Sequence, residues 1–312
     1  MIIRAPHEND TAAIIELLQL SLGESKLKKT QTIWEFKHTK NPFGVSPVFL
    51  AEENTILVGI RAFMQWRWQL GDIVWTSYRA VDTGTHPDYQ GKGIFKKLTL
   101  YALDYVSQFG ECFVFNTPNN KSRPGYLKMG WQEVAKIKVA FLPISIFSLS
   151  YLFYKKKYEN SISEFQLEQL CSNHNSNLKS KNVLFTPKSA AYLKWRYQEN
   201  PLQDYIVVST SDYYIAMYVK KHRFFNELRV VETISVFDGK IRSHIRSMVY
   251  QYAFQNCCFL ITTSDKELFS FRIYGSYGPK LTFKSLTPSD AFIAKALDIK
   301  NWSYSLGDLE LF

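Results

Sequence analysis

Between residues 86 and 98 the chain reads HPDYQGKGIFKKL. Gly91 and Gly93 flank Lys92, and Lys96 and Lys97 follow at once. Glycines so spaced admit positive φ and let the backbone approach a ligand closely. Successive amide N–H groups can then converge on one concavity, a nest for oxyanions. An amphipathic run begins at Ile94, so the positive end of a helix dipole would face the same point. The chemistry that fits is the holding of a diphosphate. The same residues also fit a Gly-rich turn that caps a surface helix. Two familiar phosphate motifs are excluded. Walker A needs Gly-Lys-Ser/Thr, whereas Gly91-Lys92 is followed by Gly93, and the dinucleotide fingerprint needs three glycines where only two stand.

The elements that must position this loop alternate between strand and helix signals. MIIRAP reads as a short strand and HENDTAAIIELLQLSLG as a helix closing near Gly23. TIWEFKHTKNPFG reads as a second helix stopped by Pro42 and Gly44. PVFLAEE, ILVGIRAFMQWRW and DIVWTSYRAVDTGT are β-rich runs separated by short polar turns. The loop follows, then the helix IFKKLTLYALDYVSQFG, the strand CFVFNTP, a short helix or turn in NNKSRPGYLKMG, and the closing strand WQEVAKIKVAFL. The second half repeats this order. The helix TPKSAAYLKWRYQENP precedes the strands YIVVST, YYIAMYVKK and LRVVETISVFD, a long helix IRSHIRSMVYQYAFQNC, and the strands FLITTSD and KLTFKSL. The expected organisation is a duplicated α/β domain: 1–150, a polar, turn-rich linker over 151–180, and 181–312.

Composition narrows the function classes. The chain of 312 residues is 46% hydrophobic, 16% aromatic and 21% charged, with a net charge of +10. That length allows two domains, each with its own core. The positive excess is divided +6 over residues 1–160 and +4 over the rest. A nucleic-acid binder concentrates charge in a patch or arm, so no nucleic-acid partner is expected, and attraction of anionic small molecules fits better. Cys112, Cys171, Cys257 and Cys258 lack metal-ligand spacing, and MIIRAPHEND does not read as a secretory signal. A reducing, cytoplasmic compartment and no metal are expected. Val139–Tyr154 is free of charge for 16 residues but contains Pro143, Ser145, Ser148 and Ser150. It falls short of the roughly 20 apolar residues of a membrane span, so a packed strand and connector is expected, without membrane insertion.

Some twenty residues beyond the loop, NTPNNKSRPGYLKMGW holds Asn119, Ser122, Tyr126, Gly130 and Trp131. The two motifs together resemble the GNAT superfamily of acyl-CoA-dependent N-acyltransferases. That family's diphosphate loop is Gln/Arg-x-x-Gly-x-Gly/Ala after the fourth strand, and here stand Gln90, Gly91, Lys92, Gly93, Ile94 and Phe95. Phe95 replaces the small last residue, and Trp131 replaces a Phe after Gly130. The resemblance covers roughly residues 1–140. With the repeated element order, it implies an α/β (α+β) fold of two tandem GNAT-like domains, each a mixed, mostly antiparallel sheet flanked by helices, the second degenerate. It also implies that acyl-coenzyme A sets its diphosphate on the amides of Gln90 to Ile94. The pantetheine arm would pair, strand-like, with the backbone of Thr83, Gly84 and Thr85. Asn119 would orient that arm beside Ser122. An amine would attack the thioester directly, with a backbone amide on the oxyanion and Tyr126 protonating the leaving thiolate. Asp82 and His86 are the candidate bases that would receive the amine's proton.

The second half has VFDGKIRSHIRS at the corresponding place, with Gly239 but no second glycine. A domain that does not bind coenzyme A but forms a wall for the acceptor is therefore expected. Trp195, Arg196 and Tyr197 would supply a guanidinium for an anionic group and two rings for stacking. More loosely, the two-domain pattern resembles N-acyltransferases acting on nucleotide-linked amino sugars in surface polysaccharide biosynthesis, which names a small-molecule amine acceptor. The alternatives are a small-molecule or antibiotic N-acetyltransferase, and a non-catalytic acyl-CoA sensor or scaffold.

Overall fold

The computed structural model describes residues 1–22, 29–144, 162–235, 239–269, 272–287 and 289–309. The chain divides into two compact units, Met1–Ala135 with Pro279–Asn301, and Lys136–Gly278 with Trp302–Phe312.

The first unit carries β1 (Ile2–Arg4), α1 (Thr11–Leu22), α2 (Gln31–His38), β2 (Val48–Glu53), β3 (Ile56–Leu70) and β4 (Ile73–Thr85). α3 (Ile94–Ser107), β5 (Cys112–Asn116), α4 (Arg123–Lys128) and β6 (Gln132–Lys136) follow. The second unit begins with β7 (Val139–Pro143), α5 (Glu164–Ser180), β8 (Leu184–Phe185) and α6 (Ala190–Leu193), which runs on as a π-helical stretch over Lys194–Gln198. β9 (Ile206–Ser209), β10 (Tyr213–Lys221), β11 (Asn226–Ser235), α7 (Gly239–Gln255), β12 (Cys258–Thr263) and β13 (Ile273–Gly275) complete its middle. The chain then returns to the first unit with β14 (Lys280–Ser285) and α8 (Asp290–Ala296). It ends in the second unit with β15 (Trp302–Ser303) and α9 (Leu306–Leu309).

In the first unit the strands lie in the order β1-β2-β3-β4-β5-β14-β6. β3 and β4 form one long antiparallel hairpin turned at Gly71, whose φ is +58°. β4 and β5 are parallel and joined by α3. Helices cover both faces because their apolar residues recur every three or four positions. Ile14, Leu17 and Leu18 of α1 pack with Leu50, Ile60 and Ala62. Ile94, Leu98, Ala102 and Val106 of α3 pack with Val58, Phe63 and Tyr126 on the other face.

In the second unit the order is β13-β7-β12-β11-β10-β9. β11 and β12 are again a parallel pair, joined by α7, whose Ile245, Met248, Val249 and Ala253 face the core. The strand–helix–strand motif that holds β4, α3 and β5 therefore recurs, as the duplicated order implies.

Two expectations change. The run WQEVAKIKVAFL is not one strand: β6 stays in the first unit, while β7 pairs with β12 and β13 in the second. The last strand of the second half, β14, pairs with β5 in the first. The units therefore exchange closing strands, and their limits differ from 1–150 and 181–312. Residues 164–180, expected as linker, form the helix α5. Ser163 and Gln166 cap it reciprocally, and Leu170, Cys171 and Leu178 bury a narrow stripe. Residues 151–161 of the expected linker, and residues 145–154 of the uncharged stretch, lie outside the described residues. Among the described residues no helix is long and apolar enough to cross a membrane.

Candidate functional site

β4 supplies a free edge. Its pairing with β5 runs from Thr76 opposite Cys112 to Arg79 opposite Phe115. The strand then continues to Thr85, paired only on its β3 side among the described residues. Ala62 faces Val81 and Ile60 faces Gly84, so Asp82 and Thr83 share the single residue Arg61. This is a β-bulge, and φ of Asp82 is +40°. It sends neighbouring side chains to opposite faces, Asp82 toward α2 and Thr83 toward Arg61. Gly84 admits α1: a Cβ there would stand 2.3 Å from Ser21 Oγ.

The loop after β4 has the form a phosphate cradle needs. A single 3-10 turn, Pro87–Tyr89, follows His86. Gly91 and Gly93 both have φ of +77°, and nothing lies within 4 Å of a Cβ built on either. Open space on that side and left-handed backbone together explain why glycine stands at both places. The first intrahelical bond runs from Lys97 N to Gly93 O at 3.0 Å. The amides of Gly91, Lys92, Gly93, Ile94, Phe95 and Lys96 meet no backbone carbonyl among the described residues. Gln90 donates from Nε2 to Thr85 O at 3.5 Å, and Lys92 Nζ lies 4.2 Å over the Tyr89 ring. Phe95 does not fill the cradle. Its ring meets Tyr126 edge-on at 5.4 Å, and a Cβ on Gly125 would stand 2.9 Å from it. The glycine at 125 makes room for the bulky residue at 95.

Tyr126, on α4, is buried, and its hydroxyl accepts from Arg61 Nη1 at 2.8 Å. Trp131 packs 5.1 Å from its ring. Asn119 first serves the chain itself. Its Oδ1 accepts from the amides of Lys121 and Ser122 at 3.0 and 2.9 Å and from Ser122 Oγ at 3.1 Å, setting the turn into α4. The cradle, the free edge with Thr83, Gly84 and Thr85, and Tyr126 thus belong to one face-and-edge system of the first unit.

The candidate bases fare differently. Asp82 is enclosed by cations. It accepts from Lys29 Nζ at 2.9 Å and from Lys37 Nζ, and meets His38 Nε2 at 3.0 Å. Burial alone would raise its carboxyl, but Lys37, His38 and Lys29 hold it well below the usual carboxylate range. Burial pushes Lys37 and His38 below their ordinary values, against the pull of Asp82. A carboxylate held so low and so fully paired is a poor proton acceptor, so the expected base role of Asp82 is corrected to that of an ionic anchor. A small cavity lined by Ile15, Leu18, Ile33, Trp34, Lys29 and Asp82 opens beside it. His86 turns its Nδ1 back to the amide of Asp88 at 3.3 Å, so that nitrogen caps the turn.

Trp195, Arg196 and Tyr197 are enclosed in the second unit and present no surface to a ligand, which corrects the expected acceptor contact. Arg196 donates to Gly307 O at 3.1 Å and Tyr205 Oη at 3.0 Å, and Tyr197 Oη donates to Glu232 at 3.0 Å. Lys188 bridges Glu232 and Asp308, at 2.7 Å each. The tail that contributes Asp308 is therefore packed in place. Among the described residues no cluster of His, Cys, Asp and Glu could hold a metal. Sequence reasoning missed Arg61, Lys37 and His38. The one signal for Arg61 was a charge inside the apolar middle of a strand, where Arg67 lies nearer its polar end. Lys37 and His38 read as an ordinary basic helix end.

Residues 2–134 match the family model described as Acetyltransferase (GNAT) domain. No curated protein matches the chain. Solved structures share the fold. The GCN5-related N-acetyltransferase from Anabaena variabilis matches with a TM-score of 0.65 at 11% identity, over 92% of this chain and 73% of its own. The GCN5-related N-acetyltransferase from Kribbella flavida matches with 0.66 at 10%, over 91% and 70%. The N-myristoyltransferase of Saccharomyces cerevisiae, with bound myristoyl-CoA, matches with 0.54 at 10%, over 90% and 81%. At these identities the likeness is one of fold. The family model carries the activity: residues 2–134 are a GNAT acetyltransferase domain, and the protein is an N-acyltransferase.

Proposed function

We propose that the first unit moves an acyl group from coenzyme A to the amine of a small molecule by direct attack. The observation that carries this is the run of β4's free edge into the loop of unpaired amides at Gly91–Lys96, with Tyr126 on the same face. The residues fit the donor. Gly91, Lys92, Gly93, Ile94 and Phe95 would hold the diphosphate with backbone amides and the α3 dipole, beside Gln90, whose own amide bonds Pro87 O at 3.3 Å. The backbone of Thr83, Gly84 and Thr85 would align the pantetheine arm, leaving Asn119 Nδ2 and Ser122 beside it. Tyr126 gives its proton to the departing sulfur. A yeast protein of like fold was solved with myristoyl-CoA, so long as well as short acyl donors belong in the trial.

The acceptor is the open part of this reading. A nucleotide-linked amino sugar is supported by the net charge of +10, which suits a diphosphate-bearing partner, but no longer by Trp195, Arg196 and Tyr197. Thiol release is measured with acetyl-CoA across nucleotide-linked amino sugars, aminoglycosides and polyamines. Turnover of the first class alone supports the amino-sugar acceptor, and turnover of polyamines or aminoglycosides alone overturns it. Calorimetry with coenzyme A tests the sensor alternative too, since tight binding with no amine turned over favours a sensor. Tyr126→Phe lowers kcat by about 100-fold or more while coenzyme A affinity is kept. An unchanged kcat removes Tyr126 from the proton-donor role.

A further inference from the structure

Arg61 is the least expected group in the first unit. It is 0% exposed, and no carboxylate lies within ion-pair distance of it among the described residues. Its Nε and Nη2 are buried without a partner. An enclosed, unpaired cation is costly, and unfilled buried donors add to that cost. Nη1 alone is engaged, with Tyr126 Oη at 2.8 Å and with Thr83 Oγ1 at the bulge. Three rings surround the guanidinium, Phe63 at 4.8 Å, Tyr126 at 5.2 Å and Phe95 at 5.8 Å. Each presents its electron-rich face, and none neutralises the charge. The structure therefore keeps a full positive charge, with two open donors, against the very hydroxyl proposed to serve the leaving group.

We propose that Arg61 is a positioning residue for the transfer step, fixing the Tyr126 hydroxyl so that its proton points away from the guanidinium and toward the departing sulfur. This rests on the proposed proton-donor role of Tyr126. Because Oη accepts from Nη1, the phenolic hydrogen must point elsewhere. When the amine nitrogen bonds to the acyl carbon and the C–S bond breaks, the electron pair goes to sulfur. Sulfur takes the Tyr126 proton, and the phenolate forms against the Nη1–H of Arg61. The proton that the amine nitrogen loses passes through water and restores the phenol, so the step balances as amide plus free thiol. Thr83 ties the same nitrogen to the strand that would align the pantetheine arm, which sets the hydroxyl and the thioester in one frame. Phe95 belongs to this arrangement as well, because it closes the guanidinium from the loop side.

The test is a double-mutant cycle of Arg61→Met and Tyr126→Phe, with acetyl-CoA and the fastest amine of the thiol-release panel. The expected result is a fall in kcat of about 30-fold for Arg61→Met, with KM for acetyl-CoA and calorimetric affinity for coenzyme A within about threefold. In the Tyr126→Phe background the same change costs less than about threefold, because the two groups act as one unit. Arg61→Lys, which keeps charge and one donor, recovers part of kcat. Equal losses from Arg61→Met in both backgrounds overturn the proposal, as does a loss confined to KM. If Tyr126→Phe alone keeps kcat, the proton-donor reading fails; if Tyr126→Phe is impaired while Arg61→Met is silent, only the present proposal fails. Should Arg61→Met not fold, as judged by circular dichroism, the neutral but polar Arg61→Gln decides, since wild-type kcat in that variant overturns the coupling.

Discussion

Replacing Asp82 by Asn separates an ionic anchor from a proton acceptor. The substitution keeps shape and one acceptor but removes the charge that faces Lys37, Lys29 and His38. Lys37 is enclosed, with 5% of its side chain exposed, whereas Lys29 is a quarter exposed and can turn to water. Lys37 therefore loses an ion pair inside the unit, while Lys29 keeps access to water. Breaking a buried pair by removing one partner costs about 3–5 kcal/mol, and the access of Lys29 to water argues for the low end, about 3 kcal/mol. For a unit of this size each kcal/mol moves Tm by about 2–4 °C, so a fall of about 6–12 °C is expected. The pH dependence has a definite sign. The folded carboxyl titrates below its unfolded value, so its contribution is complete above about pH 3.9 and is lost as pH falls from there toward the folded value. The gap between wild type and variant is therefore full at pH 7 and narrows only below about pH 4. Urea unfolding followed by circular dichroism at pH 7 and pH 3.5 reads both quantities. Adding Lys37→Met to Asp82→Asn should recover part of the loss, because the enclosed cation that faced the lost charge goes too. A variant with wild-type Tm but with kcat lowered by about 100-fold or more would refute this reasoning and return Asp82 to the role of base.

Two further outcomes follow from the geometry. Gly93→Ala puts a side chain on a residue with φ of +77° in open space, so it should lower stability by only about 1–2 kcal/mol but weaken coenzyme A binding by about tenfold or more in calorimetry; unchanged affinity would remove the loop as the diphosphate site. Gly307→Ala sets a Cβ 1.8 Å from Tyr197 Oη in the second unit, and a fall in Tm is expected as the Glu232 and Asp308 network is forced apart; wild-type Tm in that variant would count against the packing described for Arg196 and Tyr197.

Much of the first unit was legible because its signals are local. The β-rich runs ILVGIRAFMQWRW and DIVWTSYRAVDTGT, with a short polar turn between them, specify a hairpin through neighbours in the chain. The periodicity of IFKKLTLYALDYVS, with Gly93 before it, specifies a helix and its start. The linker reading failed for α5 because polar composition outweighed a real helical stripe at Leu167, Leu170, Cys171, His174 and Leu178. Trp195, Arg196 and Tyr197 misled for a different reason. A surface anchor and a buried polar network use the same residue types, and the groups that engage Arg196 and Tyr197 include Glu232 and Gly307, far along the chain.

The sequence by itself determined the Gly-rich turn at Gly91 and Gly93 and the start of α3, since positive φ at two glycines and a helix start are properties of a few adjacent residues. It also determined Tyr126 as the hydroxyl to watch, through a spacing shared with a family. Only the tertiary structure decided which strand closes each sheet, because pairing partners are chosen by register and burial across more than a hundred residues. It alone brought Arg61 to Tyr126, 65 positions away, and His38 to Asp82, 44 positions away. Those meetings turn a candidate base into an anchor and an unremarked arginine into a partner of the candidate acid. Charge and hydrogen bonding act through a few ångströms of space, a distance that the order of residues does not record.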